Sequence, residues 1–208
     1  MLYRIVLTTI ILIFILPGCG SRQSNKQIDT RYSEDKLPGK EDNTVISIHQ
    51  AALDGQKSVI LQLLAEGTDV NQKDVEGRTA IMYASYNGHT EVVKELISRG
   101  ADINLPDRYG RTALMFGSSG PFPKTVKLLL DHKSDPNIAD TEKHFTALMY
   151  AAAEGQLEVV KLLLDYKANP LLKDIEGNDA LTYALKNGHQ EVADLLKSFN
   201  NNKNSAKD

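Results

Sequence analysis

Thr79-Ala80-Ile81-Met82-Tyr83-Ala84 returns as Thr112-Ala113-Leu114-Met115-Phe116-Gly117, as Thr146-Ala147-Leu148-Met149-Tyr150-Ala151, and as Asp179-Ala180-Leu181-Thr182-Tyr183-Ala184, at spacings of 33, 34 and 33 residues. Self-similarity at one period decides the architecture before any single element is assigned. Each block runs on into apolar residues at i, i+3 and i+4: Val93/Leu96/Ile97, Val126/Leu129/Leu130 and Val160/Leu163/Leu164. That spacing puts the three side chains on one helix face, so each block reads as a pair of short helices. Between blocks, Asp74-Val75-Glu76-Gly77-Arg78, Asp107-Arg108-Tyr109-Gly110-Arg111 and Asp174-Ile175-Glu176-Gly177-Asn178 supply the Asp and Gly of a tight, finger-like turn.

These blocks resemble ankyrin repeats. The resemblance rests on Gly77-Arg78-Thr79-Ala80-Ile81-Met82-Tyr83-Ala84 against the family's Thr-Pro-Leu-His-x-Ala, on Gly88-His89-x-Glu91-Val92-Val93, and on Gly100-Ala101-Asp102-Ile103-Asn104. A degenerate block upstream fits as well, through Ile48-His49-Gln50-Ala51-Ala52 and Gly67-Thr68-Asp69-Val70-Asn71. The fold expected is all-α: an ankyrin-repeat solenoid of about five helix-turn-helix units with finger loops, over 43–74, 75–107, 108–140, 141–174 and 175–199. One helix pair cannot bury its own apolar faces, whereas each stacked neighbour removes more Leu, Val and Ile surface from water, at roughly 25 cal/mol per Å2. Ala80, Ala113, Ala147 and Ala180 stand where a small side chain lets adjacent helices approach. Lys197 replaces the Ile97, Leu130 and Leu164 of earlier blocks, as suits a last unit with no successor to cover it. Residues 200–208 read as a polar, frayed tail.

Departures from the family pattern mark the irregular places. The motif's His survives only at His49, with Met82, Met115, Met149 and Thr182 elsewhere, so its polar network is expected to give way to packing. Gly120-Pro121-Phe122-Pro123 interrupts the third block, and Thr141 to Phe145 holds one extra finger residue. Lys133 and Lys167 occupy the helix-end position where Gly67 and Gly100 would relax a left-handed backbone, at a cost of roughly 1 kcal/mol.

The amino end reads as an address. Met1 to Arg4 carries a positive charge, Ile5 to Leu16 is an uncharged run of 12 residues, and Leu16-Pro17-Gly18-Cys19 follows. A membrane span needs roughly 20 apolar residues, so residues 1–18 read as a secretory signal. Leu16-Pro17-Gly18-Cys19 is similar to the lipobox of bacterial lipoproteins, with Pro17 a less usual second residue. That resemblance implies lipidation of Cys19, a thioether-linked diacylglycerol together with an acylated amine, a multi-chain anchor that holds stably. Gly20 in place of Asp after the cysteine implies sorting to the outer membrane, facing the periplasm. Residues 19–42 are polar and of mixed charge, the composition of a flexible linker.

Composition excludes several function classes. Lys and Arg total 24 against 27 Asp and Glu, a formal charge of -3, which does not suit a nucleic-acid binder that must neutralise many phosphates. A single cysteine makes no internal disulfide and no thiolate-rich metal site. His49, His89, His132, His144 and His189 pair with no second metal-spaced ligand, and no G-x-S-x-G, Walker loop or H-E-x-x-H occurs. No catalytic residue, cofactor, metal or small-molecule substrate is expected, and the reading is a non-enzymatic protein binder.

In the ankyrin family, partners are held by fingertips and by the exposed ends of the first helices. Carried onto this chain, the resemblance implies Val75, Glu76, Arg78, Tyr86 and Asn87, then Arg108, Tyr109, Arg111 and Ser119. It also implies Glu142, Phe145, Ala153 and Glu154, followed by Ile175, Glu176, Asn178, Lys186 and Asn187. Tyr109, set between Arg108 and Arg111, has the makeup of a binding hot spot. Phe122, between two prolines, either covers the local core or projects as an anchor. The row Tyr83, Phe116, Tyr150 and Tyr183 reads first as filling between helices and second as a recognition stripe. Some bacterial ankyrin-repeat lipoproteins are similar in layout and neutralise membrane-attacking phospholipase toxins, which implies an immunity protein with a cognate lipase toxin as partner. The alternative is an ankyrin adaptor supporting a periplasmic enzyme in oxidant resistance, for which oxidant sensitivity of a deletion strain without toxin sensitivity would select.

Overall fold

The computed structural model describes residues 46–205, with side chains described through residue 201. The signal sequence, Cys19, the linker and the last three residues lie outside them. Among the described residues ten helices follow in order: α1 (Ile48–Leu53), α2 (Lys57–Ala65), α3 (Ala80–Tyr86), α4 (Thr90–Ser98), α5 (Ala113–Ser118), α6 (Pro123–Asp131), α7 (Ala147–Ala153), α8 (Leu157–Asp165), α9 (Ala180–Lys186) and α10 (Gln190–Ser205). They form five antiparallel pairs stacked side by side, and the only strand-like feature among the described residues is an isolated bridge between Ala139 and Thr146.

The two rows of helices are made differently. First helices are short and apolar almost all round: in α3, Ala80, Ile81, Met82, Ala84 and Ser85 are all buried, because neighbours cover both flanks. The recurring Ala80, Ala113, Ala147 and Ala180 are all buried, and α1, α3, α5, α7 and α9 approach one another more closely than the second helices do. Second helices are amphipathic; in α4, Val92, Val93 and Leu96 are buried while Glu91 and Lys94 face water. Pro123 opens α6 at the first helical turn, where its missing N–H costs nothing. A side-chain ladder crosses the repeats beyond the second helices. Asn71 Oδ1 accepts the Asp102 amide at 2.8 Å, and Asn137 Oδ1 accepts the Asn169 amide at 2.7 Å.

Two expectations about ends are answered. Lys133 and Lys167 take the left-handed backbone at φ 70° and 67°, as Gly100 does at 86°. The last helix runs on to Ser205, so the stretch read as a frayed tail from residue 200 is helical through 205. Leu196 is fully buried and Phe199 packs on the core, and extending an anchored helix needs no new nucleus.

Candidate docking surface

The fingers are built around one aspartate each. Asp74 Oδ1 accepts the Glu76 and Arg78 amides, both at 2.8 Å; Asp107 Oδ1 accepts those of Tyr109 and Arg111, both at 2.9 Å; Asp174 Oδ1 accepts those of Glu176 (2.9 Å) and Asn178 (2.7 Å). The longer fourth finger keeps only the Lys143 amide on Asp140, at 2.8 Å, and admits its extra residue by turning His144 left-handed at φ 59°. Fingers are also joined backbone to backbone. Arg108 N–H donates to Glu76 O (2.9 Å), Thr141 N–H to Tyr109 O (2.8 Å) and Ile175 N–H to Lys143 O (3.1 Å).

In three of these four fingers the aspartate's second oxygen ties the finger to its helix. Tyr83 OH donates to Asp74 at 2.6 Å, Tyr150 OH to Asp140 at 3.1 Å, and Tyr183 OH to Asp174. In the third repeat Phe116 has no hydroxyl, and Arg111 Nε takes that oxygen of Asp107 instead, at 2.8 Å. The aromatic row therefore fills space with its rings and braces the fingers with its hydroxyls. This corrects the expectation that packing alone replaces the motif's polar network: the network is rebuilt from tyrosine and aspartate. The sequence signal was present in the Asp-to-Tyr spacing of 9 or 10 residues, but the pairing becomes evident only once the turn is closed.

These contacts carry a pH dependence. Burial by itself would raise the Asp174 carboxyl, but hydrogen bonds from Tyr183 and from the Asn178 and Glu176 amides outweigh it and hold its pKa at about 2. Asp74 is held below the usual carboxylate range by the same balance. A carboxyl depressed by folding takes its proton more readily in the unfolded chain. Its stabilisation is complete above the unfolded value of ~4 and is lost as pH falls toward the folded value. Urea midpoints should therefore drop across that acid window, and the drop should shrink when Tyr83→Phe and Tyr183→Phe are combined. Midpoints that stay constant there would contradict the assignment.

The candidate binding residues divide into spent and available side chains. Arg108 is exposed, reaches Glu76 at 2.8 Å, donates to the Tyr109 hydroxyl and lies 4.6 Å from the Tyr109 ring centroid. Arg111 lies 4.8 Å from the same centroid and 5.0 Å from that of Phe116, which meets Tyr86 edge-on at 6.4 Å. This run of rings and guanidinium groups is the most developed feature of the finger side. Val75 is 93% exposed and Ile175 61%, each at a fingertip, and Glu142 is exposed on the fourth finger.

Other candidates serve the stack itself. Arg78 leans on Tyr83, 3.4 Å from its hydroxyl, and Phe145 wedges between Tyr150 (5.4 Å) and Tyr183 (4.8 Å). Asn178 donates to Asp174 and Glu176, both at 3.2 Å, and accepts from Lys186 at 2.9 Å. Asn87 and Asn187 donate across repeats to Leu53 O and Ala153 O, each at 2.7 Å. His89 and His189 sit on Gly55 and Gly155 of the preceding repeat, and Phe122 is their counterpart. Gly88 has φ 69°, and a Cβ there would fall 2.1 Å from the Phe122 ring. Phe122 is half-buried filling between repeats, which settles its two readings. Ser119 turns its hydroxyl back onto Phe116 O at 2.8 Å, and Glu154 is half-buried at the end of α7.

Stacked helix pairs with hydrogen-bonded fingers define a repeat scaffold that binds through its surface. The sequence matches the family of ankyrin repeats (three copies) over residues 48–140 and again over 118–208, well over half of the chain. The protein belongs to the ankyrin-repeat family, whose arrays mediate protein–protein interaction. No curated protein matches the chain. Among the described residues, no group of three or more His, Cys, Asp or Glu could hold a metal ion, and no helix is long and apolar enough to cross a membrane.

Proposed function

We propose that this protein is a lipid-anchored binding protein of the bacterial cell envelope, most specifically an immunity protein that occludes a membrane-attacking, phospholipase-type toxin. The observation that carries the docking part is the third fingertip, where exposed Arg108 lies against half-buried Tyr109 and the finger is joined backbone to backbone to its neighbours on both sides. A surface ordered before binding spends little conformational entropy on association, so an interface of about 800 Å2 per partner can be tight. The envelope part rests on the lipobox-like Leu16-Pro17-Gly18-Cys19. An anchor at Cys19 would concentrate the inhibitor at the outer membrane, facing the periplasm, where a phospholipase finds its substrate.

Calorimetry of residues 21–208 with the toxin encoded beside this gene should give a sub-micromolar complex. Arg108→Glu and Tyr109→Ala should each weaken it by about tenfold or more. Arg111 is a poorer probe, because it braces Asp107. Absence of any complex with that neighbour would end the immunity reading.

A further inference from the structure

The first helices of repeats one and four end in the same way. Leu53 O accepts Asn87 Nδ2 and lies 2.9 Å from His89 Nε2, and Ala153 O accepts Asn187 Nδ2 and lies 3.0 Å from His189 Nε2. The two carbonyls between them in register are Tyr86 O and Ser119 O. Opposite these, the Asn and His positions hold Gly120 with Phe122, and Glu154 with Gln156. Gly120 and Phe122 have no side-chain donor and a carboxylate only accepts, while the Gln156 amide, which can donate, makes no side-chain hydrogen bond with a described residue. Neither carbonyl receives a hydrogen bond among the described residues.

The same stretch changes in relief. Tyr86 leans on Phe116, edge-on at 6.4 Å, and Glu154 stands one repeat further along from the small Ser119 and Gly120. The Ser119 hydroxyl is turned away onto Phe116 O. Glu154 is half-buried, and its carboxylate makes no hydrogen bond or ion pair with a described residue. Burial raises its pKa above the usual carboxylate range, and the interaction with His189 only partly opposes that shift. Its own charge is felt at the Tyr86 hydroxyl across the step. A carboxylate, the Ser119 carbonyl and the Tyr86 ring all favour a cation that carries hydrogen-bond donors.

We propose that this step between Tyr86 and Glu154 receives a lysine or arginine side chain of the protein partner. The proposal rests on the docking reading above and adds the chemistry of one anchor. An ammonium or guanidinium would satisfy Glu154 together with the Ser119 carbonyl, while its aliphatic stem lies along Tyr86.

The test is selection of a displayed library of random dodecapeptides on the mature protein, followed by affinity measurement of the selected peptides. Peptides competing at the finger side should share a basic residue, and replacing lysine by norleucine or arginine by citrulline should weaken them by about tenfold. Glu154→Gln, which keeps the shape, should cost a similar factor, and Ser119→Tyr should block the step. Thermal melting of both variants checks that the array is intact. Finger-side peptides that bind Glu154→Gln as well as the parent, or that need no basic residue, would overturn the anchor and leave the docking surface standing. Failure to select any peptide, or binding confined to the second helices, would overturn the docking reading and the anchor with it.

Discussion

Asp107→Ala is expected to cost about 3 kcal/mol, a large share of the ~5–15 kcal/mol that holds an ordinary domain folded. The Asp107 side chain is 0% exposed. One of its oxygens accepts the Tyr109 and Arg111 amides, and the other meets Arg111 at 2.8 Å from Nε and 2.7 Å from the terminal nitrogen. Truncation leaves two backbone donors without their acceptor and the Arg111 side chain, 25% exposed, without its counter-charge. Asp107→Asn keeps an oxygen for the amides but turns an NH2 donor toward the Arg111 guanidinium, losing the ion pair and the Nε hydrogen bond, so it should recover only part of that loss. Urea denaturation of the two variants checks this, and a loss under about 1 kcal/mol for the alanine form would show that the finger does not depend on its aspartate. The third finger is the sharpest place to ask, because Phe116 gives it no tyrosine hydroxyl to share the load.

Leu129→Ala is expected to cost about 3 kcal/mol by a different route. Leu129 is 0% exposed in α6, the second helix of the middle repeat, and truncating a buried leucine loses both transfer free energy and contacts around the residual cavity. In a linear array the middle unit also contributes two interfaces, so weakening it uncouples the repeats on either side. Unfolding should broaden into two steps. Leu185→Ala is the comparison, since Leu185 is 48% exposed at the open end of the stack and should cost under about 1 kcal/mol. Equal losses at the two positions would contradict a stack whose stability comes from neighbours.

Much of this architecture was legible because it repeats. The apolar triads named the buried faces: Val93 and Leu96, Val126 and Leu129, and Val160 and Leu163 are all fully buried. Lys133 and Lys167 could be placed in the left-handed region because glycine holds that position in other units. What stayed hidden was the partner of each polar side chain. Asn87 and Asn187 sit at family contact positions, yet their amides reach the preceding repeat, more than 30 residues away in sequence. Phe122 could have pointed either way until Gly88, without a Cβ, was seen beneath its ring. The polar run after Phe199 looks unstructured by composition, whereas its helicity follows from the buried segment before it. Glu154 illustrates the converse case. Family position alone put it among the candidates, and its half-burial without a partner residue is what gives that position a chemistry.

The docking face can be tested without naming the partner. A photo-crosslinking amino acid introduced at Tyr109, on the third finger, should capture a protein in living cells, whereas the same group at exposed Lys94, on α4, should not. Capture at Lys94 with none at Tyr109 would place the working surface on the second helices and contradict the account.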